Sequence, residues 1–423
     1  MLADNSNRYE FTDEEERRMR ERAAQSAKEK EKRQKLEQAR KAKKQKTIHK
    51  ISTAFIISLI VVVSISLLFI AANAFGNVTF SKIIDYIKDG IINSETGDGY
   101  PLDVGSGSVT DMLMIGDTLV GVQNDEIALF NNTAKKTAAY MHSYSKPMTC
   151  VANGRMLVCD RVTGRYMIVN RTETIFESEL QSETYACTLA KNGVYAFSTK
   201  ADSAASIVSV YDAGFSKTFD FKCSDEYIIG LSVSPNSKYI ALIGIGSKEA
   251  FLYSKLYILD LNKEEVVATF DFEGESLNTV FYSSNNSVVV VSENTYTVIR
   301  NNEEVEKNNF GYNTISRFDS DINGNFAIVL SKYGSIDSGA VALFNDKGKE
   351  LFSLEIDCKI ECIDFDGSTV CIVDSDNVVR TYNKRGKLLG ETQLESPVQD
   401  IAVNGKYCYA LCFGTVVQID VRK

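Results

Sequence analysis

The sequence predicts an all-β repeat domain over residues 100–423, preceded by a single membrane-spanning helix. Three observations lead to this prediction. Residues 51–75 form a run of 25 residues without a charge. Short β-rich segments with a period of two follow from residue 100, and two kinds of turn signal recur among them in one register.

Residues 1–50 form a charged tail. They hold 16 Lys and Arg against 10 Asp and Glu, although the whole chain has a formal net charge of −9. Acidic residues precede basic ones by four positions through 12–46, which favours a solvated helix or a disordered tail. The basic residues of 40–50 would also suit anionic lipid heads or an acidic partner. Because the rest of the chain is strongly acidic, we predict no nucleic-acid partner.

Residues 51–75 predict a transmembrane helix, since this length of helix spans the ~30 Å hydrocarbon core of a bilayer. Basic residues crowd its N-terminal side, so the N-terminus is expected in the cytoplasm and everything after Phe75 outside the plasma membrane. A buried core helix and a cleaved signal peptide ending near Ala74 are the alternatives. The fifty preceding residues and the length of the run favour an uncleaved anchor.

Residues 76–99 connect the predicted span to the domain. Large apolar residues at helical spacing predict a short amphipathic helix over 79–92, which would lie on the bilayer or pack on the domain. Residues 93–99 have the composition of a hinge-like linker.

From residue 100 a unit of about 40 residues repeats eight times. Its third strand ends in Asn or Asp, preceded by an apolar residue everywhere except at Arg300, and these positions are 37 to 48 residues apart. The eight positions are Asn131, Asn170, Asp212, Asp260, Asn301, Asn345, Asn383 and Asp420. A tight turn rich in Asn, Asp and Gly marks the first hairpin of each unit. This spacing is typical of a four-stranded propeller blade.

Eight units predict an eight-bladed β-propeller, with seven blades as the alternative if the unit at 146–183 is irregular. The eighth unit has room for only three strands before Lys423. A strand from 100–106 would supply the fourth, which would remove an open edge and tie both ends of the domain together.

Residues 100–423 resemble a degenerate β-propeller of the WD-repeat or quinoprotein-like kind. The Trp-Asp dipeptide of WD repeats falls at the end of the third strand. Here an apolar residue and Asn or Asp take its place, and the chain has no Trp. The whole chain resembles bacterial single-pass membrane proteins with a charged cytoplasmic tail and an external propeller. That resemblance implies architecture and no activity.

We predict no catalytic residue, cofactor or metal site. His49 and His142 are the two histidines of the chain, which leaves little for a zinc site or a His-based triad. The segment from Asp319 to Gly324 begins like a calcium loop, but Leu330 stands where a bidentate Glu is required, so a structural turn is favoured. A propeller enzyme of the glycan lyase or hydrolase type, or an envelope assembly factor, remains the alternative to a binding domain.

All nine cysteines lie in the predicted domain, most of them within apolar strand segments. Buried free thiols are therefore expected. If Asp366-Gly367 is a two-residue turn, Cys362 faces Cys371, which makes these two the best-placed pair for a disulfide.

Three connections between second and third strands are long, at 199–206, 246–254 and 331–339, and a propeller presents them on one face. Phe251, Tyr253 and Tyr333 lie in them, with Lys248 nearby. Aromatic residues on a polar rim anchor interfaces. We therefore predict an extracytoplasmic binding platform for a protein, peptide or envelope polymer. The alternative is plain surface loops whose aromatic residues fold back on the blade.

Overall fold

A computed structural model describes residues 96–105, 109–311, 313–334 and 338–422, together with residues 58, 63 and 66. The chain divides into two compact units, Met1–Ile83 and Ile84–Lys423. Of the first unit, only the three single residues are described, and their backbone is helical. The predicted tail, nearly all of 51–75 and the helix predicted at 79–92 lie outside the described residues. In the described part of the chain, no helix is long and apolar enough to cross a membrane.

The described part of the second unit forms eight antiparallel sheets of four strands each, which confirms the eight-bladed propeller and excludes seven blades. The first strands of neighbouring blades contact one another, so they surround the centre of the ring. Each observed first strand begins within two residues of the unit start that the repeat predicts, near Val109, Met148, Tyr185, Ile228, Leu277, Thr314, Ile360 and Val398.

The first four blades contain strands β2 to β17, in chain order. Their bounds are β2 Val109–Ile115, β3 Thr118–Gln123, β4 Glu126–Phe130 and β5 Lys136–Met141 in blade 1; β6 Pro147–Ala152, β7 Arg155–Asp160, β8 Arg165–Val169 and β9 Thr174–Glu179 in blade 2; β10 Thr184–Leu189, β11 Tyr195–Thr199, β12 Ser206–Tyr211 and β13 Lys217–Cys223 in blade 3; and β14 Tyr227–Val233, β15 Tyr239–Lys248, β16 Phe251–Asp260 and β17 Glu265–Glu273 in blade 4.

The last four blades contain strands β18 to β32 and, in blade 8, strand β1 from the start of the domain. Their bounds are β18 Leu277–Ser284, β19 Ser287–Ser292, β20 Thr295–Arg300 and β21 Glu303–Asn309 in blade 5; β22 Thr314–Ser320, β23 Phe326–Ser331, β24 Gly339–Phe344 and β25 Glu350–Ile356 in blade 6; β26 Ile360–Phe365, β27 Thr369–Asp374, β28 Val378–Asn383 and β29 Leu388–Gln393 in blade 7; and β30 Asp400–Val403, β31 Tyr407–Cys412, β32 Thr415–Asp420 and β1 Leu102–Asp103 in blade 8.

Strand β1 closes the ring, as the three-strand final unit predicted. Leu102 pairs with Val416, and Asp103 pairs with Thr415. The Tyr100 ring packs 5.2 Å from the ring of Tyr409. The end of the predicted linker is also attached to the propeller, because the Gly97 and Gly99 amides donate hydrogen bonds to Thr133 in blade 1.

The recurrent Asn or Asp after the third strand has a local physical cause. In blade 1, Asn131 Oδ1 accepts hydrogen bonds from the amides of Thr133 and Lys135, both at 3.0 Å. Asn and Asp side chains stabilise turns in this way. In six further units the side chain accepts a hydrogen bond from the amide two residues ahead, at Asn170, Asp212, Asp260, Asn345, Asn383 and Asp420. Asn301 instead occupies a two-residue turn with φ of 51°.

The hydrophobic core lies between the blades rather than at the centre of the ring. Among the described residues, eight clusters of buried side chains each join two neighbouring blades. Stacked Tyr and Phe side chains contribute to this core. Tyr211 stacks on Tyr195 at 4.9 Å, and Phe344 stacks on Phe326 at 5.0 Å.

Candidate functional site

The segment predicted as a loop at 246–254 is instead a projecting hairpin. Strands β15 and β16 have ten residues each and pair as far as Lys248 and Phe251, with the two-residue turn Glu249-Ala250 between them. Both turn residues have positive φ, 52° and 67°, as a tight turn between twisted strands requires. Glycine at position 246 makes room for the ring of Tyr253, since a Cβ there would lie 2.6 Å from that ring. The strand pairing can therefore continue beyond this position.

The tip of the hairpin is apolar and exposed. Phe251 is 78% exposed, and its neighbour Leu252 is 69% exposed. Lys248, opposite Phe251, is also exposed. Sequence reasoning identified Phe251 and Lys248 but missed Leu252, which points away from Phe251 because successive strand residues alternate in direction.

Tyr253 was predicted to contact a partner together with Phe251, but its hydroxyl is bonded within the blade. Its hydroxyl donates a hydrogen bond of 2.8 Å to Glu226 Oε1. Tyr257 donates to Glu226 Oε2 at 2.9 Å, and the Cys223 thiol lies 3.0 Å from the same oxygen. Tyr253 therefore supports the base of the hairpin, and the tip consists of Phe251 and Leu252.

Glu226 is 3% exposed and remains ionised. Burial alone would raise the pKa of its carboxyl, but the three hydrogen bonds and the ammonium of Lys255, 3.6 Å away, together hold that pKa below its ordinary value. The hairpin thus stands on a charged, fully hydrogen-bonded base. Nothing in the spacing of the sequence indicated this cluster.

Other exposed aromatic residues share the face of the propeller on which the hairpin projects. Tyr333, in the long connection after β23, is 78% exposed, and its amide donates a hydrogen bond to Asn313 Oδ1. Residues 335–337 of that connection are outside the described residues. First strands also begin on this face, and there the Tyr185 and Tyr227 rings meet edge to face at 5.8 Å.

The predicted pairing of Cys362 with Cys371 is corrected by the strand register. Cys362 lies opposite Val373, and Cys371 lies opposite Asp364. The cause is the turn: Asp366 Oδ1 accepts hydrogen bonds from the Ser368 and Thr369 amides, so four residues separate Phe365 from its partner rather than two. All nine cysteines are present as free thiols.

The opposite face holds a central cavity of about 730 Å³, lined by first-strand ends and first-hairpin turns of all eight blades. Two of its acidic side chains, Asp319 and Asp364, lie close enough to influence each other's pKa. Burial and the charge of Asp319 hold the pKa of Asp364 well above its ordinary value. Across the cavity, Lys191 Nζ donates a hydrogen bond to the carbonyl of Ile322.

Both carboxyls of this pair accept hydrogen bonds from backbone amides of the next blade. Asp319 Oδ2 accepts from the Phe365 amide at 2.6 Å, and Asp364 Oδ2 accepts from the Val403 amide at 2.5 Å. Each bond joins one blade to the next. The neighbouring Asp321 closes its own turn, with Oδ1 accepting from the Asn323 and Asn325 amides. The segment that resembles a calcium loop is thus a hydrogen-bonded turn.

Comparisons with known proteins agree with this architecture. The model of a family of unknown function (DUF5711) matches residues 101–419. The computationally designed Ika8 protein has 13% identity and a TM-score of 0.56, covering 75% of this chain and 98% of its own. The C-terminal WD40 domain of Sif2 has 11% identity and a TM-score of 0.55, covering 76% and 99%.

A third similar structure is that of Chaetomium thermophilum Sqt1 bound to the N-terminus of the ribosomal protein L10. It has 12% identity and a TM-score of 0.53, covering 76% of this chain and 99% of its own. No curated protein matches the sequence. At these identities the likeness confirms the propeller fold, including the resemblance to WD repeats.

Proposed function

Because the chain belongs to a family of unknown function (DUF5711) whose matched region is the propeller itself, we propose from its own surface that it is a membrane-anchored, extracytoplasmic platform that binds a protein partner through the β15–β16 hairpin. The observation that carries this proposal is the pair of large apolar side chains, Phe251 and Leu252, exposed at the tip of a hairpin with a hydrogen-bonded base. Exposed apolar side chains held in place bind well, because little conformational freedom is lost on association.

The partner class follows from the shape of the site. A projecting tip that presents two apolar side chains fits a concave, apolar groove on another protein, whereas a polymer of sugars would offer mainly hydroxyl groups. Tyr333 on the same face is a second exposed aromatic residue that a large partner would cover. Sqt1, which has a similar fold, was solved with a protein segment bound.

The membrane placement is supported by the uncharged run at 51–75 and by the basic residues that precede it. Protease added to intact cells or spheroplasts should digest residues 100–423 and leave the tail protected. Digestion of the tail alone would contradict this topology.

An enzyme acting at the central cavity is the alternative function. The Asp319–Asp364 pair is the kind of titratable group that such an enzyme requires. Both carboxyls, however, accept backbone amides of the next blade, and this role in joining blades accounts for their presence. We therefore favour binding at the hairpin face.

The binding proposal is tested by placing a photo-crosslinking amino acid at position 251 of the full chain in its native membrane. The matched control is position 322, because Ile322 is 58% exposed on the opposite face. We expect a discrete adduct with one protein at 251 and none at 322.

The partner identified in this way is then titrated against two variants. Phe251→Ser/Leu252→Ser should weaken binding by about 30-fold or more, equivalent to about 2 kcal/mol. Phe413→Ser, which changes an exposed residue on the same face four blades away, should bind normally. Crosslinking at 322 rather than 251, or unchanged affinity of the double variant, would move the binding site away from the hairpin.

A further inference from the structure

Two cysteine side chains from neighbouring blades lie close together in the core between those blades. Cys371 lies on β27 of blade 7 and Cys408 on β31 of blade 8, with their Sγ atoms 3.1 Å apart. Both are completely buried, within the hydrophobic cluster that joins these two blades. They are 37 residues apart in the sequence.

We propose that Cys371 and Cys408 form a disulfide bond that covalently joins blade 7 to blade 8. Bonded sulfurs are about 2.05 Å apart, so closing the bond requires the two Sγ atoms to approach by about 1 Å. The pair that the sequence suggested, Cys362 and Cys371, lies on strands whose register sets the two residues opposite other partners.

The position of the bond explains what it would do. Blade 8 is completed by strand β1, which contributes only two paired residues. A covalent link from blade 8 to blade 7 would hold this blade in the ring when β1 detaches. The bond would therefore reinforce the interface between blades 7 and 8, next to the blade that β1 completes.

The oxidant is another disulfide, either of a thiol–disulfide oxidoreductase or of glutathione. The Cys371 thiol loses its proton and attacks one sulfur of that disulfide, releasing a thiolate and leaving a mixed disulfide. The Cys408 thiolate then attacks the Cys371 sulfur and releases the second thiolate. Two cysteine thiols are oxidised, one external disulfide is reduced to two thiols, and the two protons pass to the released thiolates. Because burial limits access, the bond forms during folding or during transient opening of the interface between blades 7 and 8.

Tryptic digestion distinguishes a Cys362–Cys371 bond from a Cys371–Cys408 bond. Cys362 and Cys371 share the tryptic peptide 360–380, whereas Cys408 lies in 407–422. A Cys362–Cys371 bond would close a loop within one peptide. A Cys371–Cys408 bond would link the two peptides.

In the first experiment, purified full-length protein is incubated with glutathione disulfide. It is then alkylated under denaturing conditions, digested without reductant and analysed by mass spectrometry. We expect the peptides 360–380 and 407–422 to be linked. The link should persist in Cys362→Ser and in Cys412→Ser, and it should disappear in Cys371→Ser and in Cys408→Ser. The linked wild-type protein should also melt at a lower temperature after reduction, whereas Cys371→Ser/Cys408→Ser should melt equally with and without reductant.

Absence of the linked peptides after this treatment, or their persistence in Cys371→Ser, would overturn the proposal. The second experiment alkylates the protein at the moment of cell lysis, without added oxidant. Since the proposed extracytoplasmic position exposes the folding domain to oxidants, we expect the same link there. Its absence from cells, together with its formation in the first experiment, would count against the extracytoplasmic position alone.

Discussion

Blades 4 and 8 each contain a largely buried carboxyl, and the two are held in opposite ways. Glu226, just before β14, accepts hydrogen bonds from two tyrosine hydroxyls and a thiol and lies near Lys255. Asp400, at the start of β30, accepts hydrogen bonds from two backbone amides, those of Met112 and Ile401. The pKa of Glu226 is below its ordinary value, whereas burial and the charge of Asp111 raise the pKa of Asp400 to about 6.

The hydrogen-bond donors around each buried carboxyl decide its role. In blade 4, hydroxyl donors and an ammonium keep the carboxylate charged, and that charge organises the base of an exposed hairpin. In blade 8, the carboxyl joins the last blade to the first through Met112. Burial and the charge of Asp111 make it bind a proton more readily than a carboxyl in water does.

The largest effect is expected from opening the seam around Asp400. Deletion of residues 100–105 removes strand β1 and the contact of Tyr100 with Tyr409. We expect the free energy of unfolding to fall by several kcal/mol and the protein to aggregate through its open edge. Urea unfolding and light scattering measure both effects. The control is Asp103→Ala, which keeps the backbone pairing; a deletion variant with the unfolding midpoint of this control would show that β1 does not hold the ring.

The base of the hairpin should give the next largest effect. Glu226→Ala leaves the hydroxyls of Tyr253 and Tyr257 without their acceptor and Lys255 without this carboxylate, so we expect a loss of about 3 kcal/mol in urea unfolding. Glu273→Ala, at an exposed position in the same blade, should change stability by less than about 0.5 kcal/mol.

The pH dependence provides a second test of the same base. Because the folded pKa of Glu226 is lowered, its contribution should be lost as the pH falls below about 4.5. Equal stability of Glu226→Ala and the wild type at pH 7 would contradict the role assigned to this carboxylate.

Much of the fold could be predicted because its signals are local. Asn131 and its counterparts bond to amides two to four residues ahead, so the repeat is visible as spacing in one sequence. The closing strand followed from counting strands in the last unit. These features require no knowledge of which blades touch.

The site could be predicted only in part, because its contacts are long-range. Phe251 was found as an aromatic residue in a long connection, but the bond from Tyr253 to Glu226 joins residues 27 apart. The four-residue turn at Asp366 shifted Cys371 away from Cys362, and its sulfur neighbour, Cys408, lies in the next blade. Neither contact leaves a periodic pattern in the sequence.

The smallest effect, and the sharpest contrast with Glu226, concerns Asp400. Its raised pKa means that the folded protein holds this proton more tightly than the unfolded chain. Its contribution to stability is therefore complete below about pH 4 and is lost as the pH rises through about 6. Asp400→Asn removes the titration but keeps a carbonyl oxygen for the Met112 amide. We expect urea unfolding from pH 4 to pH 7 to show the wild type losing about 2 kcal/mol relative to this variant. Because other titrating groups are common to both proteins, the difference between the two curves isolates Asp400. Parallel curves would show that its carboxyl is already ionised near pH 4 and that backbone amides alone suffice to keep it charged, as the richer donor set does for Glu226.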